Sequence, residues 1–299
     1  MCSTFKYKNC MGRNYDYEMS YKEEVIFIPK QEEVCGNKYD ILGIGSGLFP
    51  DYPMLYDGMN EKGLAMSGLA FTDNAHYHKY LKPNIVNYKP YSIIPTILGN
   101  YESVKQFQEI VVDKHYVNII DAPYNNETAN AELHWFLCDK DDCLVIESTK
   151  NGVNIYVNNY GVLTNNPPFP LMEDECKDIL RKVGIYTDYE SDMYFSRGTE
   201  TQGLSGGYTS AERFARLVYL KQHIGKYDML SPVDDSFKLC QSVEQLYGCT
   251  PVDEKFEYTI YQAVYDLEEL KLYTKPYKQG YVDKWGFADN VNEIDRCVL

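Results

Sequence analysis

Positive charge is scarce in this chain. Its 299 residues include 29 Lys and Arg against 44 Asp and Glu, a formal net charge of −15. That balance argues against a nucleic-acid surface and against a polybasic membrane patch. An anionic substrate would need a local cationic site. Long apolar runs are lacking too: nothing is long enough to span a bilayer, and no basic segment followed by a continuous apolar run opens the chain, so a soluble cytoplasmic protein is expected. Paired CxxC spacing is absent from the nine cysteines, an odd number for which a disulfide framework is not expected in that compartment. Cys138 and Cys143 flank an Asp-rich turn without a matching Cys/His pair, and the five histidines form no HExxH, so no metal is expected. His76 and His78 alternate in a polar loop and read as solvated. The glycines Gly43, Gly45 and Gly47 lack a following Gly-Lys-Ser/Thr, and Pro50 and Pro53 stand where a helix would have to begin, which excludes a phosphate loop. No cofactor is expected.

What the chain does have is a cysteine directly behind its first methionine. The side chain of Cys2 is small enough for an aminopeptidase to remove Met1, which leaves one residue carrying both a thiol and a free α-amine. Such an amine has a pKa of roughly 7.7 to 8.0, so it can take the thiol proton at neutral pH, and no histidine is required. Ser3 to Lys8 alternates apolar and polar residues, Asn9 is a turn former, and Met11 to Tyr17 resumes an extended pattern, which predicts a hairpin. The returning arm can carry Arg13 and Asp16 towards the chain's start. There an arginine favours a thiolate and a carboxylate can hydrogen-bond the amine; the alternative for this pair is an ordinary surface ion pair.

Tyrosine is abundant, at 29 residues, in keeping with a strand-rich chain. Residues 24–29 and 41–45 read as strands, 57–63 as a turn and 64–71 as a strand of small residues. Pro90 to Val112 has helical spacing in two segments, the second capped by Ser103 or started near Glu102. A polar loop over 118–130 precedes strands at 133–137 and 143–148, and strands at 153–157 and 160–164 are expected to continue the same sheet. A helix to about Val183 leads into a polar excursion ending near Gly207. Ser210 to His223 is the clearest helix, with Thr209 or Ser210 as cap; another is expected over 233–247, then a terminal hairpin with its turn at 266–269. Asn165 ends a strand before a proline-containing turn, where an Asn is either a turn former or a donor to a developing oxyanion.

The run Gly12-Arg13-Asn14-Tyr15-Asp16-Tyr17-Glu18 behind Cys2 resembles the choloylglycine hydrolase family of N-terminal nucleophile hydrolases, which includes bile salt hydrolases and penicillin V acylases. The resemblance continues in Asp51-Tyr52-Pro53, in Asp57 to Leu64, in Leu133-His134-Trp135, in Gly161 to Pro167 and in Thr209 to Phe214. It implies an α+β fold, a four-layer αββα sandwich of two antiparallel sheets, as one domain over 2–299. It implies a cysteine amidohydrolase of linear amide C–N bonds, most similar to enzymes acting on conjugated bile salts, with penicillin V or another N-acyl amide as the alternative substrate and a silent binding protein as the non-enzymatic one. Cys2, Arg13, Asp16, Asn165 and Arg213 are then the catalytic set; by default Arg213 would be a surface arginine. Ala70 supplies a backbone N–H to the oxyanion hole at a place where many bile salt hydrolases carry Asn; the donor survives that departure, and substrate preference is what it puts in doubt. Tyr15, Phe49, Tyr56, Tyr124 and Thr128 line the acyl pocket, a more aromatic set than is usual in bile salt hydrolases. The polar excursion resembles an assembly loop of tetramers, so the expected partners are a small-molecule amide and further copies of the chain.

Overall fold

The computed structural model describes residues 1–30, 36–49, 52–112, 117–125, 129–184, 198–227, 229–287 and 295–299. In chain order the strands are β1 (Cys2–Tyr7), β2 (Cys10–Tyr17), β3 (Glu23–Ile28), β4 (Ile41–Ser46), β5 (Leu55–Asn60), β6 (Ala65–Ala70), β7 (Val86–Tyr88), β8 (Val117–Ile119), β9 (Leu133–Cys138), β10 (Cys143–Thr149), β11 (Gly152–Val157) and β12 (Val162–Leu163). After the central helices follow β13 (Thr250–Val252), β14 (Lys255–Asp266), β15 (Lys271–Pro276), β16 (Asp283–Gly286) and β17 (Asp295–Val298). The α-helices are α1 (Ile93–Asn100), α2 (Val104–Phe107), α3 (Phe169–Leu180), α4 (Ser210–Ile224) and α5 (Pro232–Ser242).

Two antiparallel sheets carry the fold. One runs β12-β1-β2-β14-β15-β16, with β13 hairpinned onto β14; the other runs β11-β10-β9-β6-β5-β4-β3-β17. Period-two alternation sorts the second sheet's side chains: Leu42, Ile44, Met59, Leu69, Phe136 and Val145 enter the core shared with the first sheet, while Ile41, Met66, Trp135 and Ile146 pack beneath α1 and α2. Helices α3, α4 and α5 add Phe169, Met172, Phe214, Leu217 and Leu239 to the shared core from beyond the first sheet. The result is the expected α+β order of helices, sheet, sheet, helices. Among the described residues no helix is long and apolar enough to cross a membrane.

The opening hairpin forms as its alternation predicts, with Cys2 opposite Tyr15 and Thr4 opposite Arg13. Ser103 caps α2 by accepting from the Gln106 N–H, and α2 runs on into a π-helical turn at Gln108–Val112. Three expectations are corrected. Asp57 and Gly58 lie inside β5 rather than in a turn, which is confined to Glu61–Gly63, where Gly63 takes a φ of 81°. Strand β12 does not extend the sheet of β9 to β11; it crosses over and pairs with β1, Thr4 opposite Leu163. Helix α5 stops at Ser242 because Gln245 is drawn to β14, its N–H donating to Thr259 Oγ1 at 2.9 Å. Most of the polar excursion, residues 185–197, lies outside the described residues, as do Asp51 and Thr128.

Helix α4 begins on a capping box in which Thr209 and Glu212 exchange side-chain and backbone bonds. Thr209→Ala is expected to lower stability by about 1 kcal/mol, read as a reduced urea midpoint at unchanged slope; an unchanged midpoint would show that the cap carries no weight.

Candidate active site

Cys2 is buried at the start of β1. Cross-strand partners share a face, so the register puts Cys2, Tyr15, Arg13, Tyr261, Ala263 and Tyr265 on the side of the first sheet that looks into the sandwich. Arg13 Nη2 lies 3.4 Å from Cys2 Sγ and donates to the Gly68 carbonyl at 2.7 Å. Its Nε approaches Asp57 Oδ2 at 3.4 Å. Asp57 also accepts from Tyr261 at 2.5 Å and from Tyr265. The small Ala263, which pairs with Arg13 between these two tyrosines, leaves room for the guanidinium. Burial disfavours the charge on Arg13, but negative charge at the Cys2 sulfur and at Asp57 outweighs it and holds its pKa above the ordinary value. Burial likewise pushes the Asp57 carboxyl up, while Arg13 and the two hydroxyls pull it back. Neither Arg13 nor Asp16 is at the surface; both are fully buried.

Asp16, three residues beyond Arg13, must face the other way. Its carboxylate accepts from Thr259 Oγ1 at 2.6 Å and Gln245 Nε2 at 2.9 Å. It meets the chain start through the backbone: the Met1 amine donates to the Asp16 carbonyl at 2.9 Å, and the Asp16 N–H to the Met1 carbonyl at 3.1 Å. That amine also pairs with Glu257. Burial lowers its pKa, against the raising influence of Cys2 and Asp16.

Asn165 and Arg213 close the site. The Cys2 N–H donates to Asn165 Oδ1 at 2.8 Å, and Arg213 Nη2 donates to the same oxygen at 2.8 Å. Two donors on one atom fix the orientation of the amide, leaving Nδ2 to donate to the Ala70 carbonyl at 2.9 Å. Arg213 Nη1 reaches the Cys2 carbonyl and Ser3 Oγ, each at 2.6 Å, and its Nε the Tyr208 carbonyl at 2.9 Å. The capped start of α4 thus delivers a fully buried arginine to the site, with burial lowering its pKa. Phe71 N–H donates to Glu132 at 2.8 Å. In the β6–β9 register the alternate residue Ala70 therefore turns its N–H and C=O away from β9, on the side where Asn165 lies.

The aromatic residues fall into two groups. Tyr15 stacks between Tyr56 at 4.8 Å and Tyr261 at 5.2 Å, with ring planes within 10° and 9° of parallel. Phe49 and Tyr124 meet edge to face at 5.3 Å, joined by Tyr52 and Tyr91. A cavity of about 700 Å³ lined by Lys6, Lys8, Lys140 and Lys221 opens near the far end of β1, and Cys2 does not line it.

The linear amide C–N hydrolases of the choloylglycine hydrolase family match residues 1–296. The chain belongs to that family. It is 34% identical to a bile salt hydrolase/transferase of Lactiplantibacillus plantarum over 95% of this chain and 91% of that one. A solved conjugated bile acid hydrolase from Clostridium perfringens superposes with a TM-score of 0.90 at 29% identity, covering 99% of this chain and 96% of the other. The penicillin V acylase of Agrobacterium tumefaciens, at 19% identity and a TM-score of 0.76 over 99% of this chain and 90% of its own, shares the fold. As a choloylglycine hydrolase family member the chain is a hydrolase of linear amide bonds.

Reading the sequence alone passes over Asp57, Tyr261, Tyr265, Thr259 and Gln245 as site residues. The signal available was Tyr261-x-Ala263-x-Tyr265, two polar-tipped rings on one strand face around a small residue. Asp57→Ala would strand a buried guanidinium and two buried hydroxyls, a loss of about 3 to 5 kcal/mol. Urea unfolding should show it, and a change below about 1 kcal/mol would mean that Arg13 is solvated after all.

Proposed function

We propose that this hydrolase cleaves conjugated bile salts at the amide between the steroid acyl group and its amino-acid half, with Cys2 as nucleophile after removal of Met1. The observation that carries the reading is the convergence on Cys2: a guanidinium 3.4 Å from its sulfur and an asparagine carbonyl 2.8 Å from its nitrogen. The thiol passes its proton to the freed α-amine and the sulfur adds to the substrate carbonyl, Arg13 stabilising the negative charge on the sulfur. The second N–H of Asn165 Nδ2 and the Ala70 N–H receive the oxyanion. The freed α-amine, oriented by Asn165 Oδ1, passes a proton to the leaving nitrogen. Water then cleaves the thioester and releases the free acid, restoring the thiol. Arg213 holds the Cys2 carbonyl and Asn165 in register, and Asp16 fixes the strand beside the amine. The bile-salt assignment is supported by the relatives named above.

Tyr15, Tyr56, Phe49 and Tyr124 are assigned to the acyl side, with Thr128. The aromatic make-up of this set favours a second reading, an acyl group bearing an aromatic ring such as the phenoxyacetyl of penicillin V, which wants ring contacts where a steroid wants a broad apolar face. Parallel assays on glycocholate, taurocholate and penicillin V decide between them. The first reading expects release of glycine or taurine at rates well above penicillin V cleavage; the reverse order selects the second, and no turnover of any of the three rejects both. Asn165→Ala should reduce turnover by roughly 10² to 10³ with folding intact, and equal turnover would remove Asn165 from the mechanism.

A further inference from the structure

Beneath the Thr164–Asn165 segment lies a buried histidine–glutamate pair that the mechanism above does not use. His134, in β9, is fully buried between the sheets. Its Nε2 is 2.9 Å from the Thr164 carbonyl and its Nδ1 is 3.1 Å from Glu147 Oε1. Glu147 follows Ile146, the partner of Trp135, so it stands directly across from His134 on β10. The same Glu147 oxygen accepts the Phe169 N–H at 3.0 Å, at the start of α3. Phe71 lies flat on the imidazole, 4.4 Å between ring centres and 8° from parallel.

The donor arithmetic is restrictive. A carbonyl can only accept, so Nε2 carries a proton. Glu147 Oε1 accepts a backbone N–H, so Nδ1 facing it as a bare lone pair would oppose two acceptors at 3.1 Å in a buried site. One proton shared along the Nδ1–Oε1 line, with Nε2 donating to Thr164, satisfies both ring nitrogens, and the flat face of Phe71 packs against the ring.

We propose that His134, held between Glu147 and the Thr164 carbonyl, is a positioning residue that sets the oxyanion site. It ties three pieces together. Its own strand pairs with β6 at Leu69 and Ala70, its ring packs on Phe71, and its Nε2 holds Thr164, which belongs to the segment leaving the opposite sheet. Asn165 and Ala70, the two oxyanion donors, are the immediate neighbours of the residues it grips. The 2.9 Å bond between Asn165 Nδ2 and the Ala70 carbonyl is kept in place by this tie. The inference rests on the assignment of Asn165 to the oxyanion; the tie itself is independent of which amide is cleaved.

The test measures kcat and KM for His134→Leu, His134→Gln, Glu147→Gln, the double variant His134→Gln/Glu147→Gln and Asn165→Ala. His134→Leu should lower kcat by about 10²-fold, the scale of a small misplacement of reacting groups, with KM changed by less than about threefold because uniform binding is untouched. His134→Gln alone sets an amide oxygen against the Glu147 carboxylate and should be similarly impaired. The double variant restores a neutral donor–acceptor chain from Phe169 to Thr164 and should recover much of the loss. Combining His134→Leu with Asn165→Ala should cost little more than Asn165→Ala alone. An unchanged kcat in His134→Leu, or losses that multiply in the combined variant, overturns the positioning role. Asn165→Ala separates the two layers: if it loses turnover while the His134 variants do not, only this inference fails, whereas if it retains full turnover the oxyanion assignment fails first. Should His134→Leu not fold, nitrogen-15 NMR of the unmodified enzyme still decides: a slowly exchanging proton on Nε2 supports the tie to the Thr164 carbonyl, and an unprotonated Nε2 refutes it.

Discussion

A guanidinium sealed between two sheets has few ways to be stable, and Arg13 has found its partners from both of them. Its own sheet supplies Cys2 Sγ and the ring of Tyr15; the facing sheet supplies Asp57 and the Gly68 carbonyl. Because an unpaired buried charge costs several kcal/mol, these contacts fix how far apart the sheets lie at this point and where β1 begins. The position of the thiol is therefore a consequence of satisfying Arg13. Tyr261, one of the two tyrosines that hold Asp57, also stacks on Tyr15 beside Cys2, so the support of Arg13 and the ring stack share a residue.

The second constraint is the crossing of the chain from one sheet to the other after β11. By pairing with β1, β12 brings Thr164 and Asn165 to the nucleophile's own edge, and the capped start of α4 adds Arg213 above them. Asn165 then meets the Ala70 carbonyl of β6, the Cys2 N–H of β1 and the Arg213 guanidinium of α4 within hydrogen-bond range. None of the three is close to another in sequence, which is why the site exists only in the folded chain.

Much of this was legible beforehand. Period-two alternation in Ser3 to Tyr17 specified the hairpin, and the helical spacing and cap signal of Thr209 to His223 specified α4 to within a residue. Other parts were hidden by the same local rules. Asp57-Gly58 looks like a turn, yet it is strand, because Arg13 and two tyrosines compensate an acid that would otherwise avoid a buried sheet. Asp16 and Arg13 both return along the hairpin, but an odd separation places them on opposite faces, so the carboxylate meets Thr259 and Gln245 instead of the amine. The switch of β12 between sheets leaves no local trace: Tyr160 to Thr164 has the pattern of a strand in either one. His134 stood in the Leu133-His134-Trp135 motif without a role attached, since what it does depends on Glu147 across the strand and Thr164 across the sandwich.

The account turns on a terminal cysteine acting as attacker and proton carrier together. With Met1 attached, the Cys2 nitrogen is an amide with a single N–H, spent on Asn165 Oδ1, and has no basic lone pair to offer. The amine of Met1 sits instead on the Asp16 carbonyl and Glu257. Intact-mass analysis of a preparation that is turning over amide substrate addresses this directly. The account predicts a mass corresponding to a chain that starts at Cys2; full activity from a chain that still carries Met1 would contradict it.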